Sequence, residues 1–385
     1  MVHHPQKTSS KLLIVGLAAA TAIFGGSCTL WPFSRSSDGA AEEKSDYQGP
    51  YYDDDTGNEI HSAVDPNSLP ADLAEQNPRA VAKPIELGTG VPAAVAIVRD
   101  QAAEVQAWCK ELRGQLNAFK WKFDPCPAGV NWKVGGLSVL GRSLVYVEVG
   151  DPKAENSTLV ITMVHSDEVT PLYLGLKLAA WLSQPEQKEL LQSHRVVIAP
   201  LVNPDGLFKK RRTRQNSRGV DLNRNFATRD WNPQALIDWK KKYRSDRRRF
   251  PGHSPESEPE TVFQRELIRL SHPTKILSVH APLSMMDYDG PDTGLPLAKF
   301  LSDYGKEYLK LKTQLKTLSW RFYPGSLGNF AGRELGIPTM TLELPTADPG
   351  RAEGYWKVFE EGARTMIQFK VSDVAAFQTR HAAHP

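Results

Sequence analysis

The chain has 385 residues, of which 40% are hydrophobic and 24% are charged. Such a chain can form a sizeable core and is neither collagen-like nor disordered throughout. Lysine and arginine total 47 against 44 for aspartate and glutamate, a formal net charge of +3, so the composition does not indicate a nucleic-acid partner. Only one stretch, at the N-terminus, is apolar enough to enter a membrane, which excludes a protein with several spanning helices.

Residues 1–27 have the pattern of a bacterial secretory signal peptide. Lys7 and Lys11 precede an uncharged, mostly apolar segment, 12–26. That segment is shorter than the roughly 20 residues that a spanning helix requires. A basic start, an apolar middle and small residues at the end are typical of a cleaved export signal.

Cys28 follows directly after this segment. Gly-Gly-Ser before a cysteine is similar to the lipobox of bacterial lipoproteins. We therefore predict an exported envelope protein, located in the periplasm and anchored to a membrane through a lipidated Cys28. The alternative is simple cleavage near Ala20 or Gly26, which would give a soluble periplasmic protein.

Two segments precede the main domain. Residues 28–84 are predicted to be a disordered acidic tether, because serine, glycine, proline and acidic residues dominate and large aliphatic residues are few. Residues 85–130 are predicted to hold a small helical element, since apolar residues recur at helical spacing between 91 and 119.

Cys109 and Cys126 remain as a pair if Cys28 carries lipid. In an oxidising compartment they form either a disulfide that closes a short loop or two unpaired thiols. The sequence does not decide between these alternatives, because a disulfide depends on geometry.

The domain predicted over 131–372 alternates between buried strands and helices. This order indicates an α/β fold whose central sheet has helices on both faces, and 373–385 is predicted to be a C-terminal tail. Strands are predicted at 144–147, 159–164, 196–199, 276–279 and 339–344, and helices at 171–183, 297–316 and 352–369.

A further helix is predicted to end near Ser271. Its start has the form of a capping box, in which Ser257 accepts hydrogen bonds from first-turn amides and Glu260 reaches back. Pro259 is compatible with this position, because first-turn amides have no helical partner.

Polar side chains follow three of the predicted strands. His165 and Glu168 come after the strand ending at 164, His280 follows 276–279, and Glu343 lies near the end of the strand that begins at 339. In open α/β sheets, ligands bind at the carboxyl ends of strands. Two histidines and a carboxylate with an open fourth position form a catalytic zinc pattern. The sequence therefore predicts a metal site at this edge.

Several motifs occur in the order seen in zinc carboxypeptidases of the carboxypeptidase A superfamily, which the chain resembles over roughly 134–370. The resemblance implies a mixed, largely parallel central sheet. The motifs are His-x-x-Glu at 165–168, Asn-Pro-Asp-Gly at 203–206, Arg-x-Asn at 214–216, Gly-Val-Asp-Leu-Asn-Arg-Asn-Phe at 219–226, Ser-Val-His at 278–280 and Thr-Leu-Glu at 341–343.

The resemblance also implies a role for each matching residue. His165, Glu168 and His280 would bind one Zn²⁺ per chain, and Glu343 would act as the general base. Three further residues would act on the substrate. Arg214 would stabilise the oxyanion, and Asn223 with Arg224 would bind a substrate carboxylate.

Within this superfamily, the chain looks most like bacterial members that act on cell-wall peptides. The shared segments are 257–261, 280–283 and 325–328. The predicted function is zinc-dependent hydrolysis of an amide in muropeptide stems, between γ-D-glutamate and meso-diaminopimelate. The alternatives are a carboxypeptidase acting on ordinary peptides, a deacylase of acyl-amino acids and a non-catalytic lipoprotein that binds peptidoglycan.

Three other features have predicted roles, and two of them have competing interpretations. Asp167 either forms turn hydrogen bonds or supports the metal ligands, and Asp221 is expected to accept backbone N–H groups beneath Asn223 and Arg224. The basic runs at 209–212 and 240–249 are either solvated surface or a positive rim that attracts an acidic substrate.

Overall fold

The structure is a computed structural model, which describes residues 101–313, 315–317 and 323–381. These residues all belong to the second of the two units into which the chain divides, Pro70–Pro385. The predicted signal peptide, Cys28 and the predicted tether lie outside the described residues, and so does the start of the predicted helical element.

The described residues form one sheet and a set of surrounding helices. The strands are β1 Lys133–Leu137, β2 Ser143–Gly150, β3 Asn156–Thr162, β4 His194–Ala199, β5 Lys275–His280, β6 Met285–Asp289, β7 Lys316–Thr317 and β8 Thr339–Glu343. The α-helices are α1 Gln101–Ala118, α2 Thr170–Leu182, α3 Lys188–Leu191, α4 Pro204–Leu207, α5 Trp231–Lys241, α6 Pro259–Ser271, α7 Leu295–Tyr304, α8 Ala352–Gln368 and α9 Val374–His381.

The sheet is mixed, with the strand order β1-β2-β4-β3-β5-β8-β6-β7. Its four central strands, β4, β3, β5 and β8, are parallel, whereas β1–β2, β2–β4 and β6–β8 are antiparallel pairs. Because the central strands share one direction, their carboxyl ends meet at one edge of the sheet. This confirms the α/β fold with a mixed, largely parallel sheet.

Both faces of the sheet are covered. Alternate residues of β3 face opposite sides, so that Val160 packs in one core and Leu159 and Ile161 pack in the other. Helices α1, α2, α7, α8 and α9 contribute to the first core, and α6 contributes to the second. Burial on both faces explains why the central strands read as continuous apolar runs in the sequence.

Helix α1 packs against the same core as the sheet. Trp108, Leu112 and Leu116 are buried there, and the indole Nε1 of Trp121 donates to Pro349 O over 2.9 Å. Cys109 and Cys126 form a disulfide with a Cα–Cα distance of 6.0 Å. The disulfide therefore links α1 to the segment that leads into β1.

Two predictions for the C-terminal part of the chain differ from the structure. The helix predicted over 297–316 ends earlier, because α7 passes into a π-helix at Gly305–Leu309 and Lys310 is left-handed. The predicted C-terminal tail contains α9, whose Phe377 is buried against Phe369 and Phe300.

The predicted capping box at the start of α6 is wrong. The N-cap is Glu258, and its side chain makes no capping hydrogen bond. Ser257 donates to Glu258 Oε1 over 2.8 Å, while Glu260 is fully buried and accepts from the amide of Asn216 over 3.0 Å. Burial of Glu260 in a polar network outcompetes the local capping arrangement.

None of the helices in the described ranges combines the length and apolar character needed to cross a bilayer.

Candidate metal centre and substrate cleft

The carboxyl edge of the parallel strands brings the predicted metal ligands together. His165 and Glu168 lie on the turn after β3, and His280 is the last residue of β5. Their ligand atoms all lie within 4.8 Å of one another, and all three residues are buried. Nδ1 of His165 lies 2.9 Å from Oε1 of Glu168 and 3.1 Å from Nδ1 of His280.

The far side of each ligand is held by another group. Nε2 of His165 lies 3.0 Å from Oδ1 of Asp221, and Nε2 of His280 lies 3.0 Å from Oγ of Ser278. Ala281 N donates to Oε2 of Glu168 over 3.2 Å. Partners on the outer nitrogens fix the imidazole orientations, which leaves both Nδ1 atoms facing the shared centre.

The charges in the centre shift its ionisation. Burial alone would raise the pKa of Glu168, but the neighbouring His165 and His280 lower it below its ordinary value. Burial lowers the pKa of His280. Burial and the charge of Arg214 would also lower the pKa of His165, but the negative charges of Glu168 and Asp221 raise it above its ordinary value. Two neutral imidazoles and one ionised carboxylate are the protonation states in which these side chains bind a metal.

Arg214 lies directly against the metal-ligand side chains. Its Nε donates to Oδ2 of Asp221 over 2.9 Å, and its Nη1 donates to Oε1 of Glu168 over 3.2 Å. Burial opposes the charge of this guanidinium, but Asp221 and Glu168 raise its pKa. A fixed cation therefore borders the centre.

Glu343 ends β8 and stands opposite His280 in the parallel pairing of β5 with β8. Its Oε2 accepts from Leu283 N over 3.3 Å. Burial, together with the negative charge of Glu168, raises the pKa of Glu343 to about 8. The structure thus places a second acid beside the centre, as the strand-end argument predicts.

Asn223 and Arg224 lie on a short 3₁₀ turn, and the segment 323–327 contacts both residues. Oδ1 of Asn223 accepts from Leu327 N over 2.8 Å. The Arg224 guanidinium lies 4.4 Å from the ring centroid of Tyr323 and donates from Nη1 to Asn223 O over 2.6 Å. Its Nε is buried without a hydrogen-bond partner among the described residues. This donor is suited to an anionic group that the described residues do not supply.

Sequence reasoning missed three of these relationships. Asp221 accepts from Asn223 N, as predicted, but its carboxylate also contacts His165 and Arg214. The bond from Ser278 to His280 could have been inferred, since residues two apart on a strand share a face. The position of Tyr323 over Arg224 had no local signal, because a hundred residues separate the two.

The comparisons with known proteins agree with this geometry. Residues 124–294 match the zinc carboxypeptidase (peptidase M14) family model. Murein peptide amidase A of Escherichia coli K12 is 30% identical over 212 residues, which cover 54% of this chain and 79% of the relative. The chain belongs to the zinc carboxypeptidase family. It is therefore a zinc metallopeptidase, which is a hydrolase.

A second curated relative supports the family assignment, and a solved structure supports the fold. Murein peptide amidase A of Vibrio campbellii is 30% identical over 218 residues, covering 54% of this chain and 77% of the relative. The crystal structure of carboxypeptidase A from Helicoverpa armigera aligns with a TM-score of 0.50 at 21% identity, covering 70% of this chain and 73% of that chain. The latter likeness concerns the fold.

The donor set of this family member fits zinc. Two imidazole nitrogens and a carboxylate, all buried and convergent, are three of the four ligands of a catalytic zinc site. The outer contacts of His165 and His280 match those that orient metal-ligating histidines. His165, Glu168 and His280 are therefore the side chains that would hold the ion.

Proposed function

We propose that this protein is a zinc amidase that cleaves the bond between γ-D-glutamate and meso-diaminopimelate in muropeptide stems. The similarity to murein peptide amidase A, whose length is mostly covered by the match, is the observation that carries the proposal. The buried His165, Glu168 and His280, with Glu343 beside them, supply the side chains that the reaction needs.

The proposed chemistry assigns one task to each group. Zinc held by the three ligands would lower the pKa of a water molecule toward about 7 and polarise the scissile carbonyl. The ionised carboxylate of Glu343 takes a proton from the attacking water as the C–O bond forms and delivers it to the leaving amine as the C–N bond breaks. The Arg214 guanidinium donates hydrogen bonds to the oxyanion that develops on the former carbonyl oxygen.

Asn223 and Arg224 orient the substrate in this proposal. The planar guanidinium of Arg224 meets a carboxylate with two parallel hydrogen bonds, and its stacking on Tyr323 limits its motion. The carboxylate of diaminopimelate in the tripeptide is the expected ligand. Its binding would place the amide to be cleaved over the metal centre.

The site of action proposed here is the bacterial cell envelope. The export-signal pattern of residues 1–27 supports it, and so does the Cys109–Cys126 disulfide, because disulfides persist in oxidising compartments. Whether Cys28 carries lipid is tested by mass spectrometry of the protein isolated from membranes of a bacterial host.

The decisive experiment incubates the purified, zinc-loaded protein with L-Ala-γ-D-Glu-meso-diaminopimelate and measures free diaminopimelate. We expect release with zinc, none after chelation, and recovery when zinc is added back. Glu343→Gln is the control for a contaminating hydrolase, because it should be inactive at the same zinc content.

A carboxypeptidase acting on ordinary peptides is the second candidate. The Asn223–Arg224 pair would accept any C-terminal carboxylate, so an α-linked tripeptide is tested alongside the muropeptide. Cleavage of the α-linked peptide without release of diaminopimelate would favour this candidate and reject the muropeptide specificity.

A further inference from the structure

A strongly basic segment borders the metal centre. Residues 240–249, called the basic rim here, follow Asp238 and precede Phe250. From Asp238 to Phe250 there are seven basic and two acidic residues. The whole chain carries a net charge of only +3, so this segment is far more positive than the chain as a whole.

Two contacts fix the basic rim to the centre. Nη2 of Arg248 lies 2.8 Å from Oδ2 of Asp167, the residue between the ligands His165 and Glu168. At the end of the rim, Asp221 N donates to Phe250 O over 2.8 Å. Asp221 itself contacts His165, so both contacts join the segment to residues beside the metal ligands.

The rim is also folded on itself. The indole Nε1 of Trp239 donates to Asp246 O over 2.8 Å, and its ring lies 4.8 Å from that of Phe250. The Arg249 guanidinium lies 4.7 Å from the ring centroid of Tyr243. A segment held in this way loses little conformational freedom when a ligand binds.

Part of the rim's charge has no internal counterpart. Neighbouring carboxylates pair with three of its cations, those of Lys242, Arg248 and Arg249. Within the described ranges, Lys241, Arg244 and Arg247 are exposed and form no ion pair. Arg247 and Arg248 are neighbours in the sequence, with Cα atoms about 3.8 Å apart. This spacing is shorter than the Debye length of about 8 Å at physiological salt, so salt only partly screens charges this close together.

We propose that the basic rim binds a second carboxylate of the substrate, carried by the residue that supplies the scissile carbonyl. This inference rests on the proposed function and narrows it to acidic peptides. A D-glutamate that is linked through its γ-carboxyl keeps its α-carboxylate free, on the same residue as the scissile carbonyl. Arg224 binds the carboxylate of the leaving residue, and the rim binds the other one.

The test compares substrates that differ by one charge. The muropeptide L-Ala-γ-D-Glu-meso-diaminopimelate is paired with its α-amidated D-isoglutamine form, and N-acetyl-Ala-Glu-Lys is paired with N-acetyl-Ala-Gln-Lys. We expect kcat/KM to favour the acid of each cleaved pair about fivefold at low salt, the size of one solvent-screened charge pair. The preference should shrink in 0.5 M salt.

The Arg244→Gln/Arg247→Gln double variant should reduce that preference to about onefold to twofold. Lys188→Gln/Lys370→Gln is the matched control, because it removes two exposed charges at the opposite edge, near the starts of β4 and β3. It should keep the wild-type preference.

Each outcome separates the two proposals. Two results would overturn the role of the rim. One is an equal kcat/KM for the acid and the amide of a pair, and the other is an unchanged preference for the acid in the Arg244→Gln/Arg247→Gln variant. If the muropeptides are not cleaved while the acetylated peptides are, the muropeptide function is rejected and the rim is judged on the acetylated pair. If none of the four peptides is cleaved, both the muropeptide function and the role of the rim are overturned.

Discussion

Oδ1 of Asp221 lies 3.0 Å from Nε2 of His165, and both side chains are buried. This contact orients the imidazole so that Nδ1 faces Glu168 and His280. The other carboxylate oxygen accepts from Nε of Arg214 over 2.9 Å. One carboxylate therefore positions a metal ligand and the neighbouring cation together.

Replacing Asp221 should weaken the binding of zinc. In Asp221→Asn the contact to His165 loses its negative charge, and the affinity for zinc is expected to fall about 10- to 100-fold. Competition against a chelating dye at pH 7 measures this affinity. Zinc binding equal to that of the wild type would show that the contact does not tune the ligand.

Asp205→Asn is the control for this substitution. Asp205 is equally buried, but it accepts from Ser138 Oγ over 2.8 Å and from Leu140 N over 2.9 Å instead of from a ligand. We expect this variant to lose stability while its folded fraction binds zinc as the wild type does.

Glu343→Gln should separate turnover from metal binding. The amide keeps the size of the side chain and cannot accept the proton from water, so kcat is expected to fall about 10²- to 10⁴-fold. Glu343 is not among the convergent ligands, so the zinc content should remain at one ion per chain. The zinc content per chain and kcat are measured for the variant and the wild type. An unchanged kcat would show that Glu343 is not the general base.

The convergence of His165, Glu168 and His280 could be predicted from the sequence, because buried strands and short motifs are local signals. His165, Glu168 and His280 each follow a buried strand, and parallel strands bring such residues to one edge. Strands β1, β6 and β7 were missed. They lack a continuous apolar run, because β1 contains two glycines, β6 alternates polar and apolar residues at 287–289, and β7 is the polar pair Lys316–Thr317.

Long-range contacts explain the remaining differences. Glu260 has the sequence position of a capping residue, yet its carboxyl lies in a buried network with Asn216. Phe377 belongs to a short C-terminal segment whose helical pattern is weak, and contacts with Phe300 and Phe369 bury it. Neither outcome has a signal within a few residues of its position.

The disulfide should contribute measurably to stability. Cys109 and Cys126 are 17 positions apart, and closing a loop of about 15 residues stabilises a fold by about 3 kcal/mol in the chain-entropy description. We expect Cys109→Ala/Cys126→Ala to lower the free energy of unfolding by about this amount in urea denaturation. Cys126→Ala alone should lose as much, since either change opens the bridge. An unchanged midpoint would contradict the expectation.

Lys275 gives the protein a specific pH dependence of stability. It is fully buried at the start of β5, and its Nζ donates to Oδ1 of Asn156 over 2.5 Å. Burial lowers its pKa from 10.5 to about 7. Between these two values the unfolded chain binds a proton that the folded protein does not, so this group's contribution to stability increases with pH.

Lys275→Met removes this dependence. The free energy of unfolding of the wild type should rise relative to the variant by about 1.4 kcal/mol per pH unit from pH 7 toward pH 10. Below pH 7 the difference should be constant, because Lys275 is protonated there in both the folded and the unfolded protein. Urea denaturation at pH 6, 7, 8 and 9 measures it. Lys188→Met, which changes an exposed lysine, should follow the wild type at every pH. Parallel curves for the wild type and Lys275→Met would show that Lys275 keeps its proton in the folded protein.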